Sequence, residues 1–311
     1  MLVSEEISDK GLDLLREAGH EVDVQIGLDE AGLAAAIVGA QAIIIRSATT
    51  VSAELLSAGT DLKIVGRAGI GLDNVDVDAA TERNVLVANA PFSNAITAAE
   101  HTMAMLLAQA RNIAHAHAAL VEGRWERSKW NGVELAEKTL GIVGLGRIGG
   151  LVAARARAFD MEIIAFDPYV APERAAGMGI ELVDLETLIG TSDFVTLHLA
   201  RTPDTMNLIN AELLAKAKPG LRLVNVARGG IIDEAALADA ISNGPVGGAA
   251  IDVFAEEPTV ASPLFTLPEV TVTPHLGAST VEAQLKAGIQ VAEQVVLALA
   301  GQPVPFAVNA R

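Results

Sequence analysis

The sequence of 311 residues contains no cysteine. This absence excludes a disulfide scaffold, a thiol nucleophile and a cysteine-ligated metal, and it fits a reducing cytoplasm. Basic residues are also few: 22 Lys and Arg stand against 39 Asp and Glu, which leaves a net charge of −17. A chain this acidic should repel nucleic acid and anionic membranes. We therefore expect neither kind of partner, and an anionic substrate would need local arginines.

Long apolar runs are missing as well. The most apolar early window, residues 34–45, is interrupted by Gln41, whereas a membrane-spanning helix needs about 20 apolar residues. Glu5 and Glu6 stand where a signal peptide would be basic and then apolar. These features predict a soluble, cytoplasmic protein.

The composition that remains is typical of a folded chain. Hydrophobic residues make up 51% and charged residues 20%, a balance that argues against long disorder. The length predicts about two domains rather than one core.

Short β-rich runs alternate with longer, Ala-rich runs of helical period. The β-rich runs are residues 42–46, 62–66, 141–143, 162–166, 194–197, 221–226, 249–253 and 270–273. They are apolar throughout rather than alternating, as strands buried on both faces must be. Strands that alternate with helices predict parallel sheets covered by helices on both faces. The expected fold class is therefore α/β with doubly wound parallel sheets.

A break divides this pattern into two parts. Residues 89–95 are mostly small or polar and interrupt the alternation. A long helix is expected next, with capping-box spacing between Thr97 and Glu100. A last helix is expected to start at Ser279 and to end at Gly301.

The most informative local motif is Gly144-x-Gly146-x-x-Gly149. Such a motif alone is weak, because an ordinary βα turn can also be rich in glycine. Here a strand-like run precedes it, a helical run follows, and the next strand ends in Asp167, 18 residues after Gly149. In this context the first glycine permits a tight turn, the second lets a pyrophosphate approach, and the third lets the helix pack on the strand. The motif therefore predicts a dinucleotide site.

Asp167 also favours one cofactor over the other. A carboxylate at this position can accept hydrogen bonds from both ribose hydroxyls and repels a 2′-phosphate, whereas NADP sites place an arginine nearby. The first downstream arginine is Arg174. We therefore expect NAD.

Four candidate catalytic residues fall at or near the carboxyl ends of predicted strands of the second part. They are Arg228, Asp252, Glu257 and His275. Open α/β sheets bind ligands at the carboxyl ends of their strands, and the arginine fork suits a planar carboxylate. Each residue alone has an ordinary interpretation, as a surface arginine, a loop carboxylate or a capping histidine. Their placement along one predicted edge favours a site.

The other histidines have weaker interpretations. His198 ends a strand near the predicted cofactor and is a candidate to line its pocket. His101 and His115 lie on the long helix and are expected to serve in packing or at an interface. Because no H-E-x-x-H pair is present, no metal site is expected.

The motifs together resemble one protein family. The glycine loop, Asp167, the Ala-Arg-Gly-Gly segment around Arg228, DVFAEEP and PHLGAST are similar to those of the D-isomer-specific 2-hydroxyacid dehydrogenases. The segments IIIRSATT, GRAGIGLDNVD, NAPFSNAITAAEHT and GRWERSKWNGVEL extend the similarity over nearly the whole chain. The resemblance implies hydride transfer between a small 2-hydroxy or 2-keto acid and NAD.

The resemblance also implies roles for single residues. His275 matches the acid/base histidine, Glu257 its carboxylate partner and Arg228 the arginine that orients the substrate. Asp252 matches the aspartate that holds the nicotinamide amide. Contacts to the cofactor are implied for Gly144, Gly146, Arg147, Ile148, Gly149, Asp167, His198, Leu199, Val226, Ala227, Asp252 and Gly277. Contacts to the substrate are implied for Arg46, Gly69, Ile70, Arg127, Arg228 and His275.

In the family, two Rossmann-like domains share the chain. The resemblance implies a discontinuous, flavodoxin-like substrate domain of residues 1–91 and 280–311 around an NAD-binding domain of residues 92–279. A homodimer is expected through the helix at residues 95–120, with a tetramer as the alternative. Some relatives continue into regulatory domains, and the sequence is expected to represent a short form without them.

The choice of substrate is less closely defined. The first-half segments favour a family member whose substrate carries a phosphate beside its carboxylate, with a role in serine biosynthesis. Arg46, and Arg127 with Lys129, are the cations expected to offset the phosphate charge, unless they are solvated surface charges. The alternatives are a hydroxypyruvate or glyoxylate reductase and, in a different class, an NAD-sensing corepressor with the same fold.

Overall fold

The computed structural model describes residues 1–310. These residues form twelve strands, which are β1 Leu2–Val3, β2 Asp23–Val24, β3 Ala42–Ile45, β4 Ile64–Arg67, β5 Leu86–Ala88, β6 Thr139–Val143, β7 Glu162–Phe166, β8 Glu181–Leu182, β9 Phe194–Leu197, β10 Leu221–Asn225, β11 Val246–Ile251 and β12 Val270–Val272. They also form twelve α-helices, which are α1 Asp9–Glu17, α2 Glu30–Ala36, α3 Ala53–Ala58, α4 Val77–Glu82, α5 Ala95–Ala110, α6 Ile113–Val121, α7 Arg147–Arg157, α8 Pro172–Gly177, α9 Leu185–Thr191, α10 Ala211–Leu214, α11 Glu234–Ser242 and α12 Val281–Leu299. Short 3₁₀ helices lie at Arg127–Lys129 and Pro263–Thr266.

The chain divides into two units. The first unit consists of Met1–Asn94 and the segment from Ala278 onward, and the second unit is Ala95–Gly277. The first unit is therefore discontinuous in sequence. Among the described residues, no helix is both long and apolar enough to cross a membrane.

The sheet of the first unit is parallel, with strand order β2-β1-β3-β4-β5. This is the flavodoxin-like order. Consecutive residues of β3 alternate between two cores: Ile43 and Ile45 pack with Leu56 of α3, while Ile44 packs with Val291 of α12. Both faces of the sheet are thus covered, which is why this strand is apolar throughout.

The sheet of the second unit is also parallel, with strand order β12-β11-β10-β9-β6-β7-β8. Counted from β6, this is the dinucleotide-binding order of the Rossmann fold with one further strand at the β12 edge. Ile142 and Val143 of β6 face different cores, one packed with α5 and α7 and the other with α9 to α11. The predicted fold class, two doubly wound parallel sheets with a discontinuous flavodoxin-like domain, is confirmed.

Some predicted boundaries are wrong. The long helix predicted at residues 95–120 is interrupted, because α5 ends at Ala110 and Asn112 takes a left-handed conformation with φ 52° before α6 begins. Thr97 lies inside α5 and is not its cap. The last helix is capped by Thr280 rather than Ser279, since the Thr280 side chain accepts from Ala283 N.

Candidate active site

The loops after six strands of the second unit carry most of the predicted site residues. They are the glycine loop after β6, Asp167 after β7, His198 after β9, Arg228 after β10, Asp252 after β11 and His275 after β12. Because all these strands are parallel, their carboxyl ends lie at one edge of the sheet. The structure therefore places the residues along a single edge, where doubly wound folds bind ligands.

The glycine loop has the shape that a dinucleotide needs. Gly144 has φ +98°, and a Cβ there would lie 2.6 Å from the carbonyl oxygen of His198. A Cβ on Gly149 would overlap the carbonyl oxygen of Gly144, so α7 approaches the end of the strand closely. At Gly146, by contrast, a Cβ would meet no protein atom within 4 Å. The exposed space over Gly146, at the N-terminus of α7, is where a pyrophosphate fits.

Asp167 supports this loop directly. Its Oδ2 accepts from Leu145 N at 2.7 Å, and its Oδ1 accepts from Tyr169 N at 2.9 Å and from Val170 N at 3.2 Å. A carboxylate offers about four acceptor positions, so capacity remains for a ribose hydroxyl. Asp167 thus stabilises the conformation of the loop, and its role with the ribose stays a prediction. Arg147 and Ile148 are the first two residues of α7.

The remaining predicted cofactor contacts form two small groups. His198 and Leu199 lie against Gly144, while Val226 lies against Gly277, where a Cβ would be 2.9 Å from Val226 Cγ1. Burial lowers the pKa of the His198 imidazole to about 3. This ring is therefore neutral at neutral pH, and its Nε2 lies 3.1 Å from Thr196 Oγ1.

His275 and Glu257 form a close pair. His275 Nδ1 lies 2.5 Å from Glu257 Oε2, and Glu257 Oε1 accepts from Phe254 N at 2.8 Å. Burial raises the pKa of Glu257, but the hydrogen bonds from His275 and from Phe254 N outweigh it and the net pKa is lowered. The carboxylate therefore stays ionised and fixes the imidazole, which leaves Nε2 of the ring for chemistry.

The backbone of His275 is strained, with φ 56°. Such a conformation is uncommon for a residue other than glycine and persists only where neighbours enforce it. His275 N donates to the carbonyl oxygen of Asp252 at 2.8 Å. The Asp252 carboxylate accepts from Leu276 N at 2.7 Å through Oδ1 and from Gly277 N at 2.8 Å through Oδ2. Asp252 therefore holds the loop that carries His275.

Asp252 is completely buried, with no exposed surface. Its Oδ1 also accepts from Thr273 Oγ1 at 2.5 Å and lies 3.2 Å from His101 Nε2. Burial raises the pKa of Asp252, but the hydrogen bonds from His101, Thr273 and Leu276 N outweigh it and lower the pKa overall. The predicted contact between Asp252 and nicotinamide stays a prediction, while its visible role is structural.

Arg228 sits in a turn that Asn225 braces. Asn225 Oδ1 accepts from Ala227 N at 3.0 Å, and Asn225 Nδ2 donates to the carbonyl oxygen of Arg228 at 2.9 Å. A Cβ on Gly229 would overlap the carbonyl oxygen of Phe254. The turn after β10 thus packs against the loop that leads to Glu257, and the partly exposed Arg228 lies on the same sheet edge as His275.

Three predicted substrate residues belong to the first unit. Arg46 follows β3, and Gly69 and Ile70 follow β4. Gly69 N donates to the carbonyl oxygen of Arg67 at 2.8 Å, and Ala68 N donates to Ile45 O at 2.8 Å. The backbone N–H groups of Ala68 and Gly69 are therefore engaged within the first unit, and the contact between Ile70 and a substrate stays a prediction.

Arg127 and Lys129 lie in the second unit, in an exposed 3₁₀ helix. Lys129 Nζ lies 2.5 Å from Glu126 Oε1. Because this neighbour already balances the charge of Lys129, its predicted contribution to phosphate binding has no support from the local geometry. Among residues 1–310, no cluster of three or more potential metal ligands is found.

Sequence reasoning missed several supporting residues. His101 is expected from sequence to serve in packing or at an interface, yet its Nε2 lies beside the Asp252 carboxylate, 151 positions away in sequence. Asn225, Glu5 and Asn74 make bonds to loop backbone. No local pattern marks them, because their partners are defined by the folded chain and not by spacing.

The second unit matches a known family. Residues 103–277 match the description "D-isomer specific 2-hydroxyacid dehydrogenase, NAD binding domain". A D-3-phosphoglycerate dehydrogenase from Mycobacterium leprae is 58% identical over 293 residues, which cover 94% of this chain and 56% of that protein. The chain thus spans a little over half the length of that relative.

Solved structures extend the match to both units. The TT0316 protein from Thermus thermophilus has a TM-score of 0.92 and 34% identity, with 99% of both chains covered. A D-lactate dehydrogenase from Aquifex aeolicus, complexed with NAD and lactic acid, has a TM-score of 0.87 and 25% identity over the full length of both chains. The chain belongs to the D-isomer-specific 2-hydroxyacid dehydrogenase family, as the sequence motifs predicted.

Proposed function

We propose that this chain catalyses the NAD-dependent oxidation of D-3-phosphoglycerate to 3-phosphohydroxypyruvate, and the reverse reduction. The observation that carries the proposal is the His275–Glu257 pair at 2.5 Å, on the sheet edge that also carries Arg228 and the glycine loop. The named relative at 58% identity supports the particular substrate. The segments around Arg46 and Gly66 support the same substrate, because they resemble D-3-phosphoglycerate dehydrogenases in particular rather than the family as a whole.

The proposed chemistry follows from the two ring nitrogens of His275. Glu257 binds Nδ1, so Nε2 takes the proton of the substrate hydroxyl during oxidation and returns it during reduction. The carboxylate of Glu257 holds the ring in the orientation that this transfer needs. Arg228 binds the substrate carboxylate with its fork of N–H groups. Bound NAD supplies the hydride acceptor, and the protein supplies position and charge.

NAD rather than NADP is the proposed cofactor. Asp167 is an acceptor with no arginine beside it in sequence, and a 2′-phosphate would meet its negative charge. We expect Asp167→Ala to weaken NAD binding and to relax the rejection of NADP, as measured by calorimetry. Because Asp167 also accepts from three backbone N–H groups, Asp167→Asn is the milder comparison. Equal NAD affinity in wild type and both variants would remove the ribose assignment.

A substrate panel tests the proposed activity. Reduction of 3-phosphohydroxypyruvate, hydroxypyruvate and glyoxylate with NADH should give the highest kcat/KM for the phosphorylated acid. A preference for glyoxylate or hydroxypyruvate would assign the chain to that branch of the family. NADH binding without turnover of any acid would instead favour an NAD-sensing corepressor.

Arg46 is the proposed reader of the phosphate. Arg46→Ala should reduce kcat/KM for 3-phosphohydroxypyruvate by a factor of about 10 to 150, the value of one charge-assisted hydrogen bond, and should leave glyoxylate nearly unaffected. Arg16→Ala is the matched control, because Arg16 is an exposed arginine of the same unit that pairs with Asp13. Equal losses on both substrates would mean that Arg46 does not read the phosphate.

We further propose a cytoplasmic homodimer. Large apolar side chains are exposed on and after α6, namely Ile113, Leu120, Val121 and Trp125. An exposed apolar patch of this kind is typical of an interface, and the interrupted α5–α6 segment replaces the single helix predicted there. Analytical ultracentrifugation of wild type and Leu120→Glu tests this, since a monomeric wild type would contradict it.

A further inference from the structure

The loop that carries Arg46 is held from one side by Glu5. Glu5 Oε1 accepts from Arg46 N at 2.8 Å and from Thr49 N at 2.9 Å, and its Oε2 accepts from Ala48 N at 3.1 Å. Glu5 follows β1, whereas the loop follows β3. One carboxylate therefore binds three backbone N–H groups of a four-residue loop.

The same loop is held from its other side by Asn74. Asn74 Nδ2 donates to the carbonyl oxygen of Arg46 at 2.8 Å and to that of Thr49 at 2.6 Å. The carbonyl oxygen of Asn74 in turn accepts from Val51 N at 2.8 Å. Both ends of the loop are thus fixed through their N–H and their carbonyl groups.

Asn74 also connects this loop to the segment after β4. That segment contains Ile70, whose carbonyl oxygen accepts from Asn89 Nδ2 at 2.7 Å. Asn89 is buried, so the backbone around Ile70 is fixed as well. The first unit therefore holds the backbone of both Arg46 and Ile70, two of the predicted substrate residues, with side-chain hydrogen bonds.

The Arg46 side chain lines a cavity of about 320 Å³. The loops after β1, β2 and β3 line the cavity, and Glu5 and Glu6 are among the lining residues beside Arg46. It lies where the direction of strand order reverses, between β1 and β3, and flavodoxin-like folds bind ligands there. Its volume is at the lower limit for small-molecule sites. Arg46 Nη1 lies 3.4 Å from the carbonyl oxygen of Glu6, a long bond that a phosphate oxygen would replace with a stronger one.

We propose that Glu5 and Asn74 are positioning residues that hold the Arg46 loop, and that they thereby set selectivity for an acid with a second anionic group. The inference rests on the proposed role of Arg46. Neither residue needs to touch the substrate, because Glu5 uses both carboxylate oxygens on backbone N–H groups and Asn74 uses its amide N–H groups on backbone carbonyls. Selectivity then depends on a rigid loop rather than on one arginine.

Glu5→Gln tests the inference, because a role of the Glu5 charge and a role in positioning the loop predict opposite changes in KM. If Glu5 acted only through its field, Glu5→Gln would remove a negative charge near a dianionic group and lower KM for 3-phosphohydroxypyruvate. If Glu5 positions the loop, the same change loses acceptors for backbone N–H groups and should raise that KM about ten-fold, with kcat little changed. KM for glyoxylate should not move. Glu6→Gln is the matched control, since it removes the charge of the neighbouring carboxylate and leaves the three bonds from Glu5 to the loop in place.

A double-mutant cycle shows whether Glu5 acts through Arg46. On the phosphorylated acid, Glu5→Gln with Arg46→Ala should be no worse than Arg46→Ala alone, because a loop without the guanidinium has nothing left to position. Additive losses, a lower KM for Glu5→Gln, or equal losses on glyoxylate would each overturn the inference.

Asn74→Ala provides an independent arm. It should show the same rise in KM on the phosphorylated acid alone, with NADH binding unchanged by fluorescence titration. If Glu5→Gln fails to fold, as judged by thermal unfolding, the Asn74→Ala result decides the inference. A selective loss in Arg46→Ala without one in Asn74→Ala or Glu5→Gln would reject the positioning role and keep the proposed function. Equal losses for Arg46→Ala on all acids would reject both.

Discussion

The second unit contains two histidine–carboxylate pairs, and their surroundings differ. In the His275–Glu257 pair the side chains are 43% and 31% exposed and the atoms are 2.5 Å apart. In the His101–Asp252 pair they are 19% and 0% exposed and 3.2 Å apart. The first pair is open enough for the proposed proton exchange with a substrate, whereas the second is closed off from solvent.

The comparison suggests different roles for the two pairs: a proposed catalytic role for His275–Glu257 and a structural role for His101–Asp252. Glu257 has one backbone donor besides His275, so its main effect is on the imidazole. Asp252 accepts from Thr273, Leu276 and Gly277, on both sides of His275 in sequence. A carboxylate beside a histidine thus acts on the imidazole in one pair and holds a loop in the other. Its burial and the number of its backbone donors determine which role it has.

Removing the exposed imidazole should have the largest effect on rate. His275→Ala should lower kcat by about 10²–10⁴, the usual contribution of a general acid or base. NADH binding, by fluorescence titration, and the thermal unfolding midpoint should change little, because the ring is partly exposed. Wild-type kcat in this variant would contradict the assignment of the acid/base role.

Removing the buried charge should mainly affect folding. Asp252→Asn should destabilise the protein by about 2–4 kcal/mol, because donors that converge on a carboxylate would meet an amide N–H. The partly exposed Glu257→Gln is the control and should leave the thermal unfolding midpoint nearly unchanged. Equal midpoints for the two variants would mean that the contrast between the pairs is wrong.

The stability lost in Asp252→Asn should depend on pH in a defined direction. The folded-state pKa of Asp252 is lowered, so its stabilisation is complete above the unfolded-state value of about 4 and is lost as pH falls through the folded value. The stability difference between wild type and Asp252→Asn should therefore shrink as pH falls from about 5 towards 3. A constant difference over this range would show that the charge does not contribute.

Glu257→Gln should change catalysis rather than stability. The Glu257 carboxylate binds Nδ1 of His275, and a neutral amide would hold the ring less firmly. The kcat for keto-acid reduction should therefore fall, though by less than in His275→Ala. The adjacent exposed Glu256→Gln makes the same charge change without the bond to His275 and should leave kcat unchanged.

The exposed pair was predictable from sequence, and the buried pair was not. His275, Glu257 and Arg228 follow apolar strands, and the rule that ligands bind at carboxyl ends of parallel strands predicts one edge for them. Asp252 was predictable as a site residue by its motif. Its burial and its bond to His101 depend on how α5 packs, which spacing along the chain does not encode.

The elements of the fold likewise differ in how well the sequence predicts them. Strands such as Glu162–Phe166 and Phe194–Leu197 were predicted at their true bounds, because they are apolar and β-branched or aromatic. The strand Val246–Ile251 was predicted three residues late, since Gly247 and Gly248 at its start carry no side chain to signal β structure. The left-handed Asn112 interrupted a helix whose flanking residues favour helix on both sides.

The smallest expected effect concerns His101. Its Nε2 lies 3.2 Å from both Asp252 Oδ1 and Thr273 Oγ1, so a side chain that still donates should replace it at a cost of about 0.5–1.5 kcal/mol or less. His101→Leu has no donor and should cost about 1–3 kcal/mol, because the buried carboxylate loses one of its hydrogen-bond partners. The comparison of His101→Gln with His101→Leu, by thermal unfolding at pH 7, isolates the hydrogen bond from the loss of the ring. Equal midpoints would mean that Thr273, Leu276 and Gly277 alone satisfy the Asp252 carboxylate. The His101–Asp252 hydrogen bond would then not contribute to stability.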